Sequence, residues 1–375
     1  VFIADPELNW TNNWLGFNGY GATTLIHELG HSIGLSHPGA YNFAPGIPLS
    51  YLGLAEYAQD SEQYSIMSYW APAETGAQIL DFSTFLFGNA QTPMLHDIYV
   101  AQSIYGADPT TRAGDTIYGF NSTAGRDAFD FSSNAFPNVS IYDAGGNDTI
   151  DLSGFNASVF LDLHDGAFSS GAQAAPTAAV VNANRAALTA LTDGAQVFAP
   201  LTQAQIDNTI NIRSGNHAIF IQGDTGVAGV RATAYDNLSI AYGTVIENGI
   251  GGSQRDVLWG NEVANRLEGR GGNDVLNGFE GADTLVGGAG NDLFVLSVVE
   301  SGDKVMDFQT GLDDIDLRGT GIDMTWIGGA AFSGVAGQVR FASDVLSVDI
   351  NGDGVADMIA SVLGDDLVAS DVLIL

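Results

Sequence analysis

From Gly251 to Val295 the sequence repeats in units of nine: GGSQRDVLW, GNEVANRLE, GRGGNDVLN, GFEGADTLV and GGAGNDLFV. Every unit opens on Gly, and its eighth residue is apolar: Leu258, Leu267, Leu276, Leu285 and Phe294. The sixth residue is Asp256, Asn265, Asp274, Asp283 or Asp292. The Gly-rich half of each unit makes a turn, and the rest is a short strand whose apolar side chain points inward. Two units make one coil of a parallel β-roll, so residues two units apart stack. Asp256, Asp274 and Asp292 then line one edge, and Asn265 and Asp283 the other. Calcium takes roughly six to eight oxygens. Stacked turns offer it carboxylates from the sixth positions and carbonyls from the Gly-rich positions, among them Gly269, Gly271, Gly287 and Ala289. The edge carrying Asn265 lacks one charge and is expected to hold calcium less tightly. A metal-free, Gly-rich solenoid is the alternative reading of the same repeat.

Composition limits the partners. Eleven Lys+Arg stand against 44 Asp+Glu among 375 residues, a formal net charge of −33. That excludes a nucleic-acid binder working by phosphate neutralisation and disfavours an anionic membrane surface. Apolar residues make up 45%, enough for a packed core. No run approaches the ~18 apolar residues of a membrane span. Cys is absent, so no disulfide holds the fold and the redox compartment stays open. Calcium loading, a halophilic surface and plain solubility each account for the acidity. The sequence starts at Val1 without a secretory signal, and a processed or clipped chain is expected.

A second motif lies near the start. His27-Glu28-Leu29-Gly30-His31 places two imidazoles at i and i+4, on one face of a helix, with a carboxyl beside them. The motif continues as HELGHSIGLSHPG. His37 reaches the same cation if the chain turns sharply, and Gly34 tolerates the positive φ of such a turn. Three neutral imidazoles with one open position are the ligand set of a catalytic zinc. Ser65-Ile66-Met67-Ser68-Tyr69-Trp70 follows, then PMLHDIYVAQSIYG (93–106), TRAGDTIYGFNS (111–122), DAGGNDTIDLSG (143–154) and VIENGIGGS (245–253).

This wording resembles the serralysin family of metzincin zinc metalloproteases, which carry a C-terminal RTX calcium-binding β-roll. The resemblance covers most of the chain outside 165–237. It implies an α+β chain: a partial metzincin catalytic domain over 1–107, with active-site helix and Met-turn, then an all-β domain over 108–375. Within the latter, 165–237 is an insertion, 251–295 the roll, and 296–375 a terminal region of short strands with a secretion signal. Helical composition marks 177–192, and a second short helix is expected at 202–210.

The resemblance also implies roles. His27, His31 and His37 bind zinc, Glu28 is the general base, and Tyr69 is a displaceable fifth ligand that stabilises the oxyanion. Met67 is an apolar floor beneath the metal. The family has Asp where His96 stands, so His96 is not expected to ligate, while Asp97 keeps its place; His164 and His217 lack ligand spacing. Arg112, Gly114 and Thr116 with Asp143, Gly145 and Asp148 match a further calcium site, with ordinary turns as the alternative. Asp307 and Asp313 match another. Asp349-Ile350-Asn351-Gly352-Asp353-Gly354 imitates an EF-hand start, but Ala360 stands where the bidentate Glu belongs, so a hairpin turn is expected.

The ending Asp371-Val372-Leu373-Ile374-Leu375 resembles the signal read by a type I (ABC) exporter, and equally suits a final core strand. The implied protein is a secreted, extracellular endopeptidase with one zinc and several calcium ions. Its implied partners are protein substrates, the exporter, a proteinaceous inhibitor and an N-terminal polypeptide. Only 26 residues precede His27, so most of the family's N-terminal sheet is missing, and residues 1–4 fit its last strand. The alternative function is a non-catalytic, calcium-dependent extracellular or surface-layer module derived from a protease.

Overall fold

Alternating strands wind the nine-residue repeat between two parallel sheets. The computed structural model of the chain describes residues 9–41, 50–296 and 302–375; the strand expected at residues 1–4 lies outside them. Val257–Asn261, Val275–Phe279 and Leu293–Val295 fall in one sheet, Arg266–Gly271 and Thr284–Ala289 in the other. Each residue pairs with the one two repeats on: Val257 with Val275, Leu276 with Phe294, Leu267 with Leu285. The eighth-position side chains Leu258, Leu267, Leu276, Leu285 and Phe294 are 0% exposed and meet in one core. Each such burial contributes about 1.5–3 kcal/mol.

The winding extends beyond the repeat in both directions. Upstream, Phe160–Asp162 pairs with the Val257 strand, and Ile117–Gly119, Thr149–Asp151 and Asn248–Ile250 extend the other sheet. Downstream, Lys304–Phe308 joins one sheet, and Asp314–Asp316 and Val372–Leu373 the other. The flanking segments, expected as separate short strands, therefore share the core of the repeat. Their coils are irregular in length. The hydrogen bonds that continue the coil-to-coil ladder span 20 and 21 residues downstream, against 18 within the repeat. A nine-residue comb does not detect them. Gln338–Ala342, Val345–Asp349 and Met358–Gly364 form an antiparallel meander at the edge. The EF-hand-like segment is the turn of its second hairpin, with the Asp349 carboxylate accepting Gly352 N–H at 2.7 Å and Gly354 N–H at 2.9 Å.

Four helices matter here: α1 (Tyr20–Ser32), α2 (Leu95–Tyr105), α3 (Ala178–Leu191) and α4 (Gln203–Thr225). The short helix expected at 202–210 is corrected to this 23-residue α4. Thr202 caps it reciprocally with Gln205, and Gly226 ends it with φ +75°. Gly215 and Gly223 inside it hide its length from a propensity reading. Ile221 of α4 packs on Phe160, Val257 and Val275, covering the outer side of the six-stranded sheet. α3 instead fastens to the N-terminal part: Asn184 Nδ2 donates to Ser83 O at 3.0 Å and Arg185 Nη1 to Thr84 O at 2.6 Å. Residues 178–225 thus bridge the sheet and the segment that carries His27, His31 and His37.

His217 on α4 is 1% exposed and donates Nδ1–H to Ala232 O at 2.9 Å. Burial, with Arg213 nearby, lowers its pKa to about 4. The unfolded imidazole titrates near 6.5, so His217 contributes stability above that pH that is lost as pH falls toward 4. The loss is about 3 kcal/mol at most. Urea titrations of the wild type and His217→Gln are expected to show a steeper loss for the wild type between pH 6.5 and 4; parallel pH profiles would contradict this account.

Candidate metal centre

Helix α1 carries His27 and His31 one turn apart, and its C-terminus turns the chain back to bring in His37. Leu35 N–H bonds to Gly30 O and Gly34 N–H to His31 O, each at 3.1 Å, closing a Schellman turn with Gly34 at φ +94°. Nε2 of His37 then lies 3.2 Å from Nε2 of both His27 and His31. The opposite ring nitrogens are committed to carbonyls, which only accept. Nδ1–H of His27 donates to Ile66 O (2.8 Å), that of His31 to Leu35 O (2.9 Å) and that of His37 to Tyr41 O (3.2 Å). Three Nε2 lone pairs therefore face one another. None can hydrogen-bond to the next while all rings are neutral, so the chemistry of the donor set asks for a cation. Zinc–nitrogen bonds of about 2.0–2.1 Å in tetrahedral array separate the nitrogens by about 3.3 Å, which these residues fit. Burial and the neighbouring His27 and His31 hold the His37 pKa below its usual value, favouring the neutral, ligating form. Among the described residues this is the one group of three or more His, Asp or Glu whose candidate ligand atoms all lie within 4.8 Å.

Tyr69 and Glu28 flank the triad. The Tyr69 ring centre is 4.4 Å from that of His37 and 5.9 Å from that of His27. Burial and the Glu28 carboxylate raise the Tyr69 pKa, keeping the phenol protonated. Both side chains line a cleft of about 620 Å³ with Tyr20, Thr23, Thr24, His27, Glu62 and Ile66. Met67 is 1% exposed beneath α1, where a Cβ on Gly30 would stand 2.6 Å from its sulfur.

Two buried acids that the motifs did not single out as site residues brace this arrangement. Asp97 on α2 is 3% exposed. It accepts from Ser65 Oγ (2.7 Å), Ile66 N–H (2.7 Å) and Met94 N–H (2.8 Å), and so braces the residue whose carbonyl, in the next peptide unit, meets His27. Asp60 is 0% exposed and accepts from Tyr41 OH (2.7 Å), Ser68 Oγ (2.8 Å) and Trp70 Nε1 (3.3 Å). It ties the His37 loop to both neighbours of Tyr69. Only spatial proximity reveals the Asp60 link, because its partners are scattered along the sequence. His96 stands apart, with Nδ1 3.3 Å from Tyr57 OH. His164 pairs with Asp162 at 2.6 Å.

The coil edges hold the other acids. Three of the five sixth-position side chains accept the backbone N–H of their counterpart one coil earlier. Asp274 Oδ1 accepts from Asp256 (2.8 Å), Asp292 Oδ1 from Asp274 (2.9 Å) and Asp283 Oδ1 from Asn265 (2.8 Å). Asp313 continues the first ladder from Asp292 at 2.9 Å, and Asp303, unmarked by the repeat, continues the second from Asp283 at 3.0 Å. Asp307 accepts Gly287 N–H (2.9 Å) and Gly288 N–H (2.8 Å). The second oxygens of Asp274 and Asp292 are buried without hydrogen-bond partners. Burial pushes Asp256 and Asp274 up to about 8 and Asp292 to about 6. A Cβ on Gly269 would meet Asp274 Oδ2 at 2.4 Å and Gly287 O at 2.7 Å, so a carboxylate and a turn carbonyl converge at one point. Gly271 and Ala289 lie in the same stacked turns, paired across the parallel strands. The separate cluster at 112–148 also closes: Thr116 N–H donates to Asp148 Oδ1 (2.7 Å), Thr116 Oγ1 to Gly114 O (2.8 Å), and Gly145 N–H to Asp143 Oδ1 (2.8 Å). The carbonyl of Arg112 lies 3.5 Å from the same Thr116 hydroxyl, and Asp148 Oδ2 is left without a hydrogen-bond partner. Oxygen-rich pockets of this kind fit calcium.

The profile of the peptidase M10 serralysin C-terminal family matches residues 107–184 and 207–374. Metallopeptidase AprA of Pseudomonas marginalis is 37% identical over 94% of this chain and 63% of its own length. Serralysin of Proteus mirabilis is 39% identical over 80% of this chain and 50% of its own, and serralysin G of Dickeya chrysanthemi 37% over 95% and 63%. The chain thus spans less than two thirds of the length of these relatives. With its profile match across the C-terminal, mostly β part, in which helices α3 and α4 depart from the all-β expectation, and its similarity to these proteins through the HExxH segment, the chain belongs to the serralysin-type metalloprotease family.

Proposed function

We propose that this chain carries the zinc centre and calcium-binding part of a secreted endopeptidase that hydrolyses peptide bonds of extracellular proteins. The observation that carries this reading is the convergence of three outward-anchored imidazoles, with Nε2 separations of 3.2 Å, beside a free carboxyl and a phenol. His27, His31 and His37 would hold zinc, which supplies Lewis acidity and lowers the pKa of a bound water to about 7. The Glu28 carboxylate takes the proton of the attacking water and passes it to the leaving amine nitrogen. The protonated Tyr69 phenol donates to the oxyanion that develops on the scissile carbonyl. It would also serve the metal as a further ligand, a reading supported by its ring lying 4.4 Å from that of His37.

Calcium belongs to folding in this scheme. The ladders Asp256–Asp274–Asp292–Asp313 and Asn265–Asp283, the Asp307 turn and the Arg112–Asp148 cluster would take the ions as a parallel RTX β-roll forms. Ion binding offsets the desolvation and mutual repulsion that raise the pKa of Asp148, Asp274, Asp292 and Asp313, so binding free energy becomes folding free energy. A chain kept unfolded where calcium is scarce suits export by an ABC-type machine, and the exposed C-terminal Leu375 suits its recognition. Leu29 of α1 and Ile33 just after it, 55% and 46% exposed, offer an apolar face to a polypeptide partner. The cleft is the place for protein substrates and for a proteinaceous inhibitor.

Glu28→Ala in the full-length protein is expected to reduce casein hydrolysis by about a hundred- to ten-thousand-fold while one zinc per chain is retained; hydrolysis at the parental rate would sink the mechanism. Asp97→Ala is expected to weaken zinc binding by about 10–100-fold, measured by competition with a chelating dye, because Ile66 O no longer orients His27. Unchanged affinity would show that the carbonyl needs no brace. Chelation with EGTA is expected to lower the unfolding temperature by about 10 °C and expose 251–295 to proteolysis. An identical melt and digestion pattern with calcium demonstrably removed would contradict the calcium assignment.

A further inference from the structure

One carboxyl in the cleft has no part in the proposed reaction. Glu62 lines it together with Tyr20, Thr24, Glu28 and Tyr69. Its N–H donates to Trp70 O at 2.9 Å, which anchors its backbone beside the residue that follows Tyr69. The side chain is half-buried and has no hydrogen-bond or ionic partner among the described residues. Burial alone pushes it up to about 7.

The Glu62 carboxyl is half-buried on the cleft wall, where it is available to an occupant of the cleft. We propose that Glu62 forms an acidic subsite that receives the Lys or Arg side chain of a peptide substrate, a preference that rests on the endopeptidase reading above. An ammonium or guanidinium gives the carboxylate a charge-assisted hydrogen bond of a strength that a solvated surface pair lacks. Glu28 carries the same sign in the same cleft and adds to the attraction. Ile66 and the Thr24 methyl offer apolar surface to the methylene stem.

The test uses the full-length, zinc-loaded protein and a peptide series in which each position around one scissile bond is in turn Lys, Arg, Gln or Leu. One position is expected to favour Lys or Arg over Gln by about tenfold in kcat/KM. Glu62→Gln is expected to collapse that ratio toward one, and Glu62→Lys to invert it in favour of Glu at the same position. The same peptides are also measured for binding to zinc-loaded Glu28→Ala by fluorescence anisotropy, which reads the subsite without hydrolysis. A basic-residue preference in binding that is lost on adding Glu62→Gln supports the subsite even if the hydrolytic mechanism fails. Hydrolysis with equal rates for basic and neutral peptides, or a preference untouched by Glu62→Gln, overturns it.

Discussion

Three imidazole lone pairs turned toward one point repel one another, and much of the N-terminal part of the structure holds them there. Helix α1 sets two rings one turn apart, and Gly34 lets the chain double back with the third. Each ring is fixed from behind by a carbonyl, so the inward nitrogens have no tautomeric freedom. Asp97 braces the residue behind His27, and Asp60 holds Tyr41, whose carbonyl orients His37. Both acids are buried and are satisfied by hydrogen bonds rather than by cations. Such buried polar groups stabilise one arrangement at the expense of others. A metal bound to the triad would repay this pre-organisation.

The same logic recurs in the β part on a different scale. Carboxylates stacked coil upon coil accept backbone N–H groups with one oxygen and leave another buried. The core from Leu258 to Phe294 supplies hydrophobic stability, while the acidic edges carry an electrostatic cost that bound ions would offset. In the proposed function two metals would have separate tasks on one chain, zinc in the chemistry and calcium in coupling the fold to its surroundings. The helices α3 and α4 join these tasks mechanically, since one grips the turn at residues 83–84 and the other covers the outer sheet.

The sequence shows most clearly what repeats or has fixed local spacing. The roll period, the inward eighth positions and the pair His27 and His31 follow from periodicity. His37 follows from the turn that Gly34 permits. Less legible are features built by long-range contact. Asp60 gathers Tyr41, Ser68 and Trp70 from separate turns, and Asp303 extends a ladder whose spacing has slipped from 18 to 20 residues. Helix α4 carries glycines and a weakly amphipathic pattern, so only its capped start resembled a helix. Its remainder is held by contacts with residues 160 and 257, far away in sequence.

The zinc K-edge X-ray absorption spectrum of the protein loaded with one equivalent of zinc tests the central claim most directly. The account predicts three imidazole nitrogens at about 2.0–2.1 Å with the remaining shell made of oxygen. A spectrum with fewer than three imidazoles, or with an all-oxygen shell like that of zinc held at the acidic coil edges, would contradict it.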